Sequence, residues 1–323
     1  MKILITGVAG FIGFRLAEKL LKKGHFVIGL DNLNNYYSVK LKIERLKILE
    51  DYKLFNFKKI NLNNKQSINY LKKIKKIDVI YHFAAQAGVR YTLSNPEKYF
   101  NDNIISFINL LELVKLNKKT KFFFASSSSV YGDQKIFPLN ENLKLNEKNI
   151  YGFSKKINEI MCESYSRIYK IKIIGLRFFT VFGEWGRPDM LIFKYIKSNL
   201  DKKIFILNSN GQHFRDFTYI DDVLSILEKL LYLKIKKNYD IFNICSNKPI
   251  KILDVIKKIN KWNNTFKFKS KNSKILNKIE VKKTHGDNRK ILKLLKKFKY
   301  TNFDKALNNT IKWYLDKKIN KIT

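Results

Sequence analysis

Two cysteines, four histidines and few acidic residues set the first limits on this chain. Cys162 and Cys245 do not make a disulfide framework, and they lie far from metal-ligand spacing. His25, His82, His213 and His285 are scattered, so neither a zinc site nor any other bound metal is expected. No apolar run approaches the roughly 18 residues of a membrane span, and the N-terminus lacks a basic region followed by an apolar leader. The expectation is a cytoplasmic protein with no membrane partner. Asp and Glu number 27 against 65 Lys and Arg, which leaves a formal charge of +38. A field of that sign attracts phosphates. Yet arginine, the residue suited to reading bases and gripping phosphate, stands only at positions 15, 45, 90, 167, 177, 187, 215 and 289. The lysines are spread among Asn and Ile along the whole chain rather than gathered into a patch, so no nucleic-acid partner is expected.

What is present is enough for one large or two modest domains: 323 residues, of which 45% are hydrophobic. Lys2-Ile3-Leu4-Ile5-Thr6 reads as a short buried strand, followed by the glycine turn Gly7-Val8-Ala9-Gly10-Phe11-Ile12-Gly13 and an amphipathic helix to about Lys23. In that order, glycines permit a tight turn and let the backbone approach a pyrophosphate at the helix N-terminus. A second strand, Phe26 to Leu30, ends in Asp31, close to the spacing at which an acid receives the adenosine ribose hydroxyls. A carboxylate there repels a 2′-phosphate, so the expected cofactor is NAD. The pattern continues with a helix over Val39 to Glu50, a strand over Leu54 to Ile60 ending at Asn61, and a strand over Asp78 to Ala85. A long helix begins at Pro96 and contains Asn103, and a fifth strand starts at Lys121. Strands and helices alternating at this spacing predict an α/β fold with a doubly wound parallel sheet. Ligands bind such sheets beyond the C-terminal strand ends, where Gly7, Asp31, Ala84 and Ser127 all fall.

The fifth strand runs into Ser126-Ser127-Ser128-Ser129, and Tyr151 and Lys155 follow four residues apart. On a helix, residues i and i+4 share a face, which sets an ammonium beside a phenol. A free phenol has a pKa of about 10 and is a poor base near neutrality. A neighbouring cation, with a further positive charge from an oxidised nicotinamide ring, favours the phenolate. A serine hydroxyl can then bridge the tyrosine to a substrate alcohol, and the site removes a proton while a cofactor takes hydride.

Several longer stretches carry a resemblance: TGVAGFIG at Thr6 to Gly13, DNLNNYY at Asp31 to Tyr37, HFAAQAGVRYTLSNP at His82 to Pro96 and ASSSSVYG at Ala125 to Gly132. YGFSK at Tyr151 to Lys155, RFFTVFGEWGRPDM at Arg177 to Met190 and RDFTYIDDV at Arg215 to Val223 complete the set. With these the chain resembles the NAD-dependent sugar-nucleotide epimerases and dehydratases of the extended short-chain dehydrogenase/reductase type, and most of all the branch acting on UDP-uronates. The resemblance implies a Rossmann domain over residues 1–176 with a returning segment at about 215–245. It implies a smaller mixed α/β substrate domain from 177–214 and 246–323. It also implies roles. Tyr151 is the general base and acid, Lys155 its electrostatic partner and a ligand of the nicotinamide ribose, and Ser127 the bridging hydroxyl, a part in which Ser128 can share. Gly7, Gly10, Phe11, Ile12, Gly13, Asp31, Asn32, Asn61, Leu62, Ala84, Ala85 and Asn103 attend the NAD. Arg90, Thr180, Arg187, Met190 and Arg215 attend the UDP-sugar, with Arg215 on the diphosphate.

Within that family, dehydratases and decarboxylases usually carry an acid where Ser128 and Ser129 stand, so its absence implies plain epimerisation. Epimerases of neutral hexoses commonly have asparagine at the position of Thr180. A threonine hydroxyl with Arg187 nearby suits a sugar carboxylate, because a guanidinium pairs bidentately with that group. The expected reaction is therefore 4-epimerisation between UDP-glucuronate and UDP-galacturonate through a 4-keto sugar, serving surface polysaccharide synthesis. A 4-epimerase of an uncharged or N-acetylated UDP-hexose and a catalytically inactive nucleotide-sugar binder are the competing readings. The resemblance thins beyond about Ile250, and the lysine-rich stretch from Asn272 to Lys293 reads as a solvated face. Surplus apolar residues on the helices over Pro96 to Leu116 and Asn149 to Tyr169 imply a homodimer.

Overall fold

The computed structural model describes the chain other than residues 75, 235, 263–266, 318, 320, 321 and 323, and other than the side chains of 65 and 66. Parts of the expected 246–323 segment thus lie outside the described residues. The strands are β1 Lys2–Thr6, β2 Phe26–Asp31, β3 Phe55–Lys59, β4 Val79–His82, β5 Lys121–Ser127 and β6 Ile173–Phe178. They continue with β7 Thr180–Phe182, β8 Phe205–Asn208, β9 Phe214–Tyr219, β10 Tyr239–Ile244, β11 Pro249–Lys251 and β12 Phe268–Lys271.

Seven of them form one parallel sheet in the order β10-β6-β5-β4-β1-β2-β3. Its central strands are nearly continuous apolar runs because both faces are covered, the burial that a parallel sheet requires. Alternation still sorts the side chains. Ile3, Ile5, Tyr81 and Phe123 pack with the helices Phe11–Lys22 and Ile220–Tyr232. Leu4, Ile80, Phe122 and Phe124 pack with Ser106–Leu116 and Ile150–Tyr169. A mixed three-stranded sheet, β11-β9-β7, and a parallel pair, β12-β8, make up the smaller part. Of the expected returning segment, β10 joins the edge of the large sheet, whereas β9 pairs with β7 and β11.

Two local differences from the sequence expectation matter for the site. The fourth strand stops at His82, and residues 83–89 leave the sheet. The helix from Pro96 to Leu116 is continuous but widens into a π-turn at Asn101–Ile105, around Asn103. Among the described residues no helix is long and apolar enough to cross a membrane.

Candidate active site

One cavity of about 830 Å³ opens beyond the C-terminal ends of β1, β2, β4 and β5 and continues between the two parts of the chain. Every site residue predicted from the sequence lines it except Asn103, which is buried behind the wall.

At one end the glycine turn closes onto the neighbouring strands. Gly7 has φ of +71°, and a Cβ there would lie 2.7 Å from the Ala84 nitrogen; a Cβ on Gly13 would lie 2.2 Å from the Gly7 carbonyl oxygen. Only hydrogen fits at these positions, so the N-terminus of helix Phe11–Lys22 comes up against the turn with its N–H groups toward the cavity. Asp31 is buried at the end of β2, and its two oxygens accept from the backbone N–H groups of Ala9 (3.0 Å) and Leu33 (2.8 Å). Each oxygen keeps lone-pair capacity for a hydroxyl donor. This close-packed cradle, with a carboxylate at its far rim, fits the pyrophosphate and ribose of a dinucleotide. Asn61 and Leu62 stand beyond it, and Asn32 turns its side-chain oxygen to the Asn34 N–H at 3.1 Å.

Two basic residues here escaped the sequence reading. Lys42 is buried and donates to the carbonyl (2.6 Å) and side chain (2.7 Å) of Asn34; burial lowers its amine to about 8. Arg45 is fully buried and donates to Ala9 O (2.8 Å), the Tyr37 hydroxyl (2.9 Å), Trp185 O (2.6 Å) and Gly186 O (3.2 Å). Their helical spacing marks them only as one face of helix Val39–Glu50, which gives no hint of these oxygens.

At the centre, Asn149 caps helix Ile150–Tyr169 by accepting from the Gly152 N–H at 2.9 Å. This cap fixes the first turn, on which Tyr151 and Lys155 share a face. The Lys155 ammonium lies 5.9 Å from the Tyr151 ring centroid. Burial lowers the Lys155 amine to about 8, and burial together with that ammonium takes the His82 imidazole down to about 3. Burial raises the Tyr151 phenol, and the Ser127 hydroxyl and Arg187 oppose that rise without reversing it. Desolvation is thus the largest influence on the phenol.

Ser127 and Ser128 end β5 and begin a tight 3-10 turn whose Ser129 N–H donates back to the Ser127 hydroxyl at 3.1 Å. A buried polar relay holds the run from behind. Ser126 donates to Glu159 (2.5 Å), Glu159 pairs bidentately with Arg177 (2.9 and 2.8 Å), and Arg177 donates to the Tyr131 hydroxyl (2.8 Å). Asn103 clamps both backbone groups of Gln86 (2.7 and 3.1 Å) and donates to Ser154 (3.0 Å). It thereby ties the loop after β4 to the helix of Tyr151.

Toward the smaller part, Thr180 in β7 and Met190, which precedes helix Leu191–Leu200, flank Arg187. Arg187 already has a partner: its Nε and Nη2 donate to the two oxygens of Asp189 at 3.0 and 2.5 Å, and Tyr36 donates to Asp189 at 3.0 Å. Burial works to raise the Asp189 carboxyl, but Arg187 overrides it and holds the group below its usual value. One guanidinium edge is therefore occupied, leaving Nη1 outside the pair.

The last arm departs most from the expectation. The stretch Asn272 to Lys293 is not simply a solvated face: Val281, Thr284, Gly286, Asp287 and Asn288 are buried while Lys274, Lys278 and Lys282 remain outside. Glu280 and Val281 line the cavity with Arg215 and His213. Arg90 donates to Glu280 at 2.6 Å, and Lys148 donates to the Glu280 carbonyl at 2.9 Å. No periodicity marks these positions, because they belong to a short helix and a loop tied down by side chains from elsewhere. Among the described residues no cluster of His, Cys, Asp and Glu suits a metal.

A half-buried phenol, a buried amine and two serine hydroxyls at the mouth of a dinucleotide cradle can exchange a proton with an alcohol undergoing hydride transfer. The comparisons agree with this geometry. Residues 3–245 match the family described as NAD dependent epimerase/dehydratase. The UDP-glucuronate 4-epimerase of Thermodesulfobacterium geofontis is 38% identical over 318 residues, covering 96% of this chain and 95% of its own. Protein CapI of Staphylococcus aureus is 36% identical over 98% of this chain and 99% of its own. The crystal structure of UDP-glucuronic acid 4-epimerase from Bacillus cereus, in complex with UDP-glucuronic acid and NAD, is similar with a TM-score of 0.89, at 32% identity over 98% and 99% of the two chains. The chain belongs to the NAD dependent epimerase/dehydratase family.

Proposed function

We propose that this protein is an NAD-dependent 4-epimerase of a UDP-uronic acid, interconverting UDP-glucuronate and UDP-galacturonate. The relatives named above support the reaction, and one observation carries it: Tyr151 and Lys155 open into the same cavity as the glycine turn and Asp31. Gly7, Gly10, Phe11, Ile12 and Gly13 would hold the NAD pyrophosphate, Asp31 and Asn32 the adenosine ribose, and Asn61 and Leu62 the adenine. Ala84, Ala85 and Lys155 would attend the nicotinamide end, with Asn103 fixing the loop from behind. When bound, NAD supplies the hydride acceptor and donor at sugar carbon 4, so that a 4-keto sugar forms and is reduced on its other face.

The protein's own groups do the rest. Tyr151 takes the proton of the 4-hydroxyl and returns it after the sugar has turned over. Ser127, with Ser128 beside it, bridges the phenol and the sugar oxygen. Lys155, itself buried, keeps a cation by the phenol where it acts more strongly than in solvent. Arg215 and Arg90 would hold the diphosphate, leaving the sugar free to rotate between Thr180, Met190 and Arg187.

The division into a dinucleotide-binding part, 1–176 with the return through β10, and a substrate part is part of the same reading. So is a homodimer in the cytoplasm, supported by exposed Phe100, Ile105, Phe153, Ile160 and Ile168 on the two helices that would pair. An activated uronic acid as product suits surface polysaccharide synthesis. The Arg187–Asp189 pair favours a second reading, in which the substrate is an uncharged UDP-hexose. Proton NMR of UDP-glucuronate incubated with protein and NAD separates them. Appearance of UDP-galacturonate supports the uronate reading, whereas turnover of UDP-glucose or UDP-N-acetylglucosamine alone supports the second.

A further inference from the structure

The far arm of the cavity contains a carboxylate that the epimerisation does not use. The Glu280 side chain is 11% exposed and stands in the wall with Arg90, His213 and Arg215. Its Oε1 accepts from Arg90 Nε at 2.6 Å; its Oε2 accepts from Asn208 Nδ2 at 3.2 Å and lies 4.0 Å from His213 Nδ1. Burial pushes against ionisation, but Arg90, Asn208 and Arg215 bring the carboxyl below its usual value, so it is charged at neutral pH. Its backbone is fixed from the other side. Lys148 donates to the carbonyls of Asn277 (3.0 Å) and Glu280 (2.9 Å), and Asn149 donates to that of Ile279 (3.0 Å).

Arg215 has no carboxylate within ion-pair distance among the described residues; its Nη1 donates to the carbonyls of Phe214 (2.8 Å) and Lys282 (3.4 Å). A diphosphate is drawn to Arg215 and repelled by Glu280. The group complementary to an ionised carboxylate is a donor, and each Glu280 oxygen retains lone-pair capacity beyond its one protein partner. Next to the diphosphate of a nucleotide, the neutral donors are the ribose hydroxyls. This is the chemistry Asp31 offers at the opposite end of the cavity.

We propose that Glu280 reads the ribose of the substrate's nucleotide, accepting from its 2′-hydroxyl and so selecting ribonucleotides over 2′-deoxyribonucleotides. The inference rests on the UDP-sugar reading above. It is tested by calorimetric titration of NAD-loaded protein with UDP and with 2′-deoxy-UDP. The wild type is expected to bind UDP roughly tenfold more tightly, the worth of one charge-assisted hydrogen bond. Glu280→Gln, which keeps the volume and an acceptor, should show a smaller preference, and Glu280→Ala should bind the two within about twofold of each other. Equal binding by the wild type, or an undiminished preference in Glu280→Ala, overturns the inference. Failure to bind either nucleotide overturns both this inference and the UDP-sugar reading. Because no turnover is needed, a protein that prefers UDP through Glu280 yet leaves UDP-glucuronate untouched sustains this inference and removes only the reaction.

Discussion

Lys155 shows the cost that a single functional residue imposes on the fold. The residue is 2% exposed, and its amine forms no ion pair among the described residues and is lowered by burial from 10.5 to about 8. Below about pH 8 both folded and unfolded chains carry the proton, and the folded chain bears the full desolvation penalty. Between about 8 and 10.5 the unfolded chain binds more protons, so stability rises with pH and the penalty disappears. Lys155→Met is accordingly expected to stabilise the NAD-free protein by about 2–3 kcal/mol at pH 7, a gain that shrinks toward zero by about pH 10.5. Thermal unfolding across that range checks it; a gain independent of pH would contradict the account. Tyr151→Phe removes only the proton carrier. Turnover should fall by at least about 100-fold while UDP affinity stays within about twofold, readable by NMR assay and calorimetry.

At the scale of elements, the start of helix Ile150–Tyr169 links two ends of the cavity. Asn149 caps the helix with its oxygen and holds the Ile279 carbonyl with its amide. Asn149→Asp keeps the cap and loses the donor, so helix stability should persist while KM for the UDP-sugar rises several-fold. Asn149→Ala loses both and should also destabilise by about 1 kcal/mol. Steady-state kinetics beside chemical denaturation distinguishes the two. The same elements show what sequence pattern conveys. The alternation of strands and helices was legible because burial on both faces of a parallel sheet leaves unbroken apolar runs, and Tyr151 and Lys155 fell on one helix because helical spacing is periodic, whereas Asn149, taken as the first helical residue, is the cap before it. The π-turn around Asn103 was not legible, since one extra residue per turn leaves the apolar pattern of a buried helix nearly unchanged. Glu280 and the Arg187–Asp189 pair were missed because their meaning lies in contacts across long sequence separation or in the direction of one side chain.

For the molecule as a whole, the dominant property is charge. A formal +38 surrounds a cavity whose proposed substrate carries a diphosphate. Such a field raises encounter rates and is screened by salt, with a Debye length of about 10 Å at 0.1 M. Raising ionic strength from about 0.02 to 0.3 M should therefore lower kcat/KM for the UDP-sugar several-fold and leave kcat nearly unchanged. A fall in kcat instead would point to loss of structure rather than of steering.

The buried guanidinium of Arg45 has a consequence for how the protein will behave in the hand. Among the described residues it has no ion-pair partner; three backbone carbonyls and the Tyr37 hydroxyl accept from its two Nη groups, from the glycine turn on one side and from Trp185 and Gly186 on the other, while its Nε has no hydrogen-bond partner. Parting these two walls would break charge-assisted hydrogen bonds to both at once, which makes spontaneous opening rare. A dinucleotide once seated behind them would leave slowly, as a tenant rather than a passing reagent. Freshly purified protein should therefore carry nucleotide absorbance through gel filtration, and substituting Arg45 by Met should let it wash out.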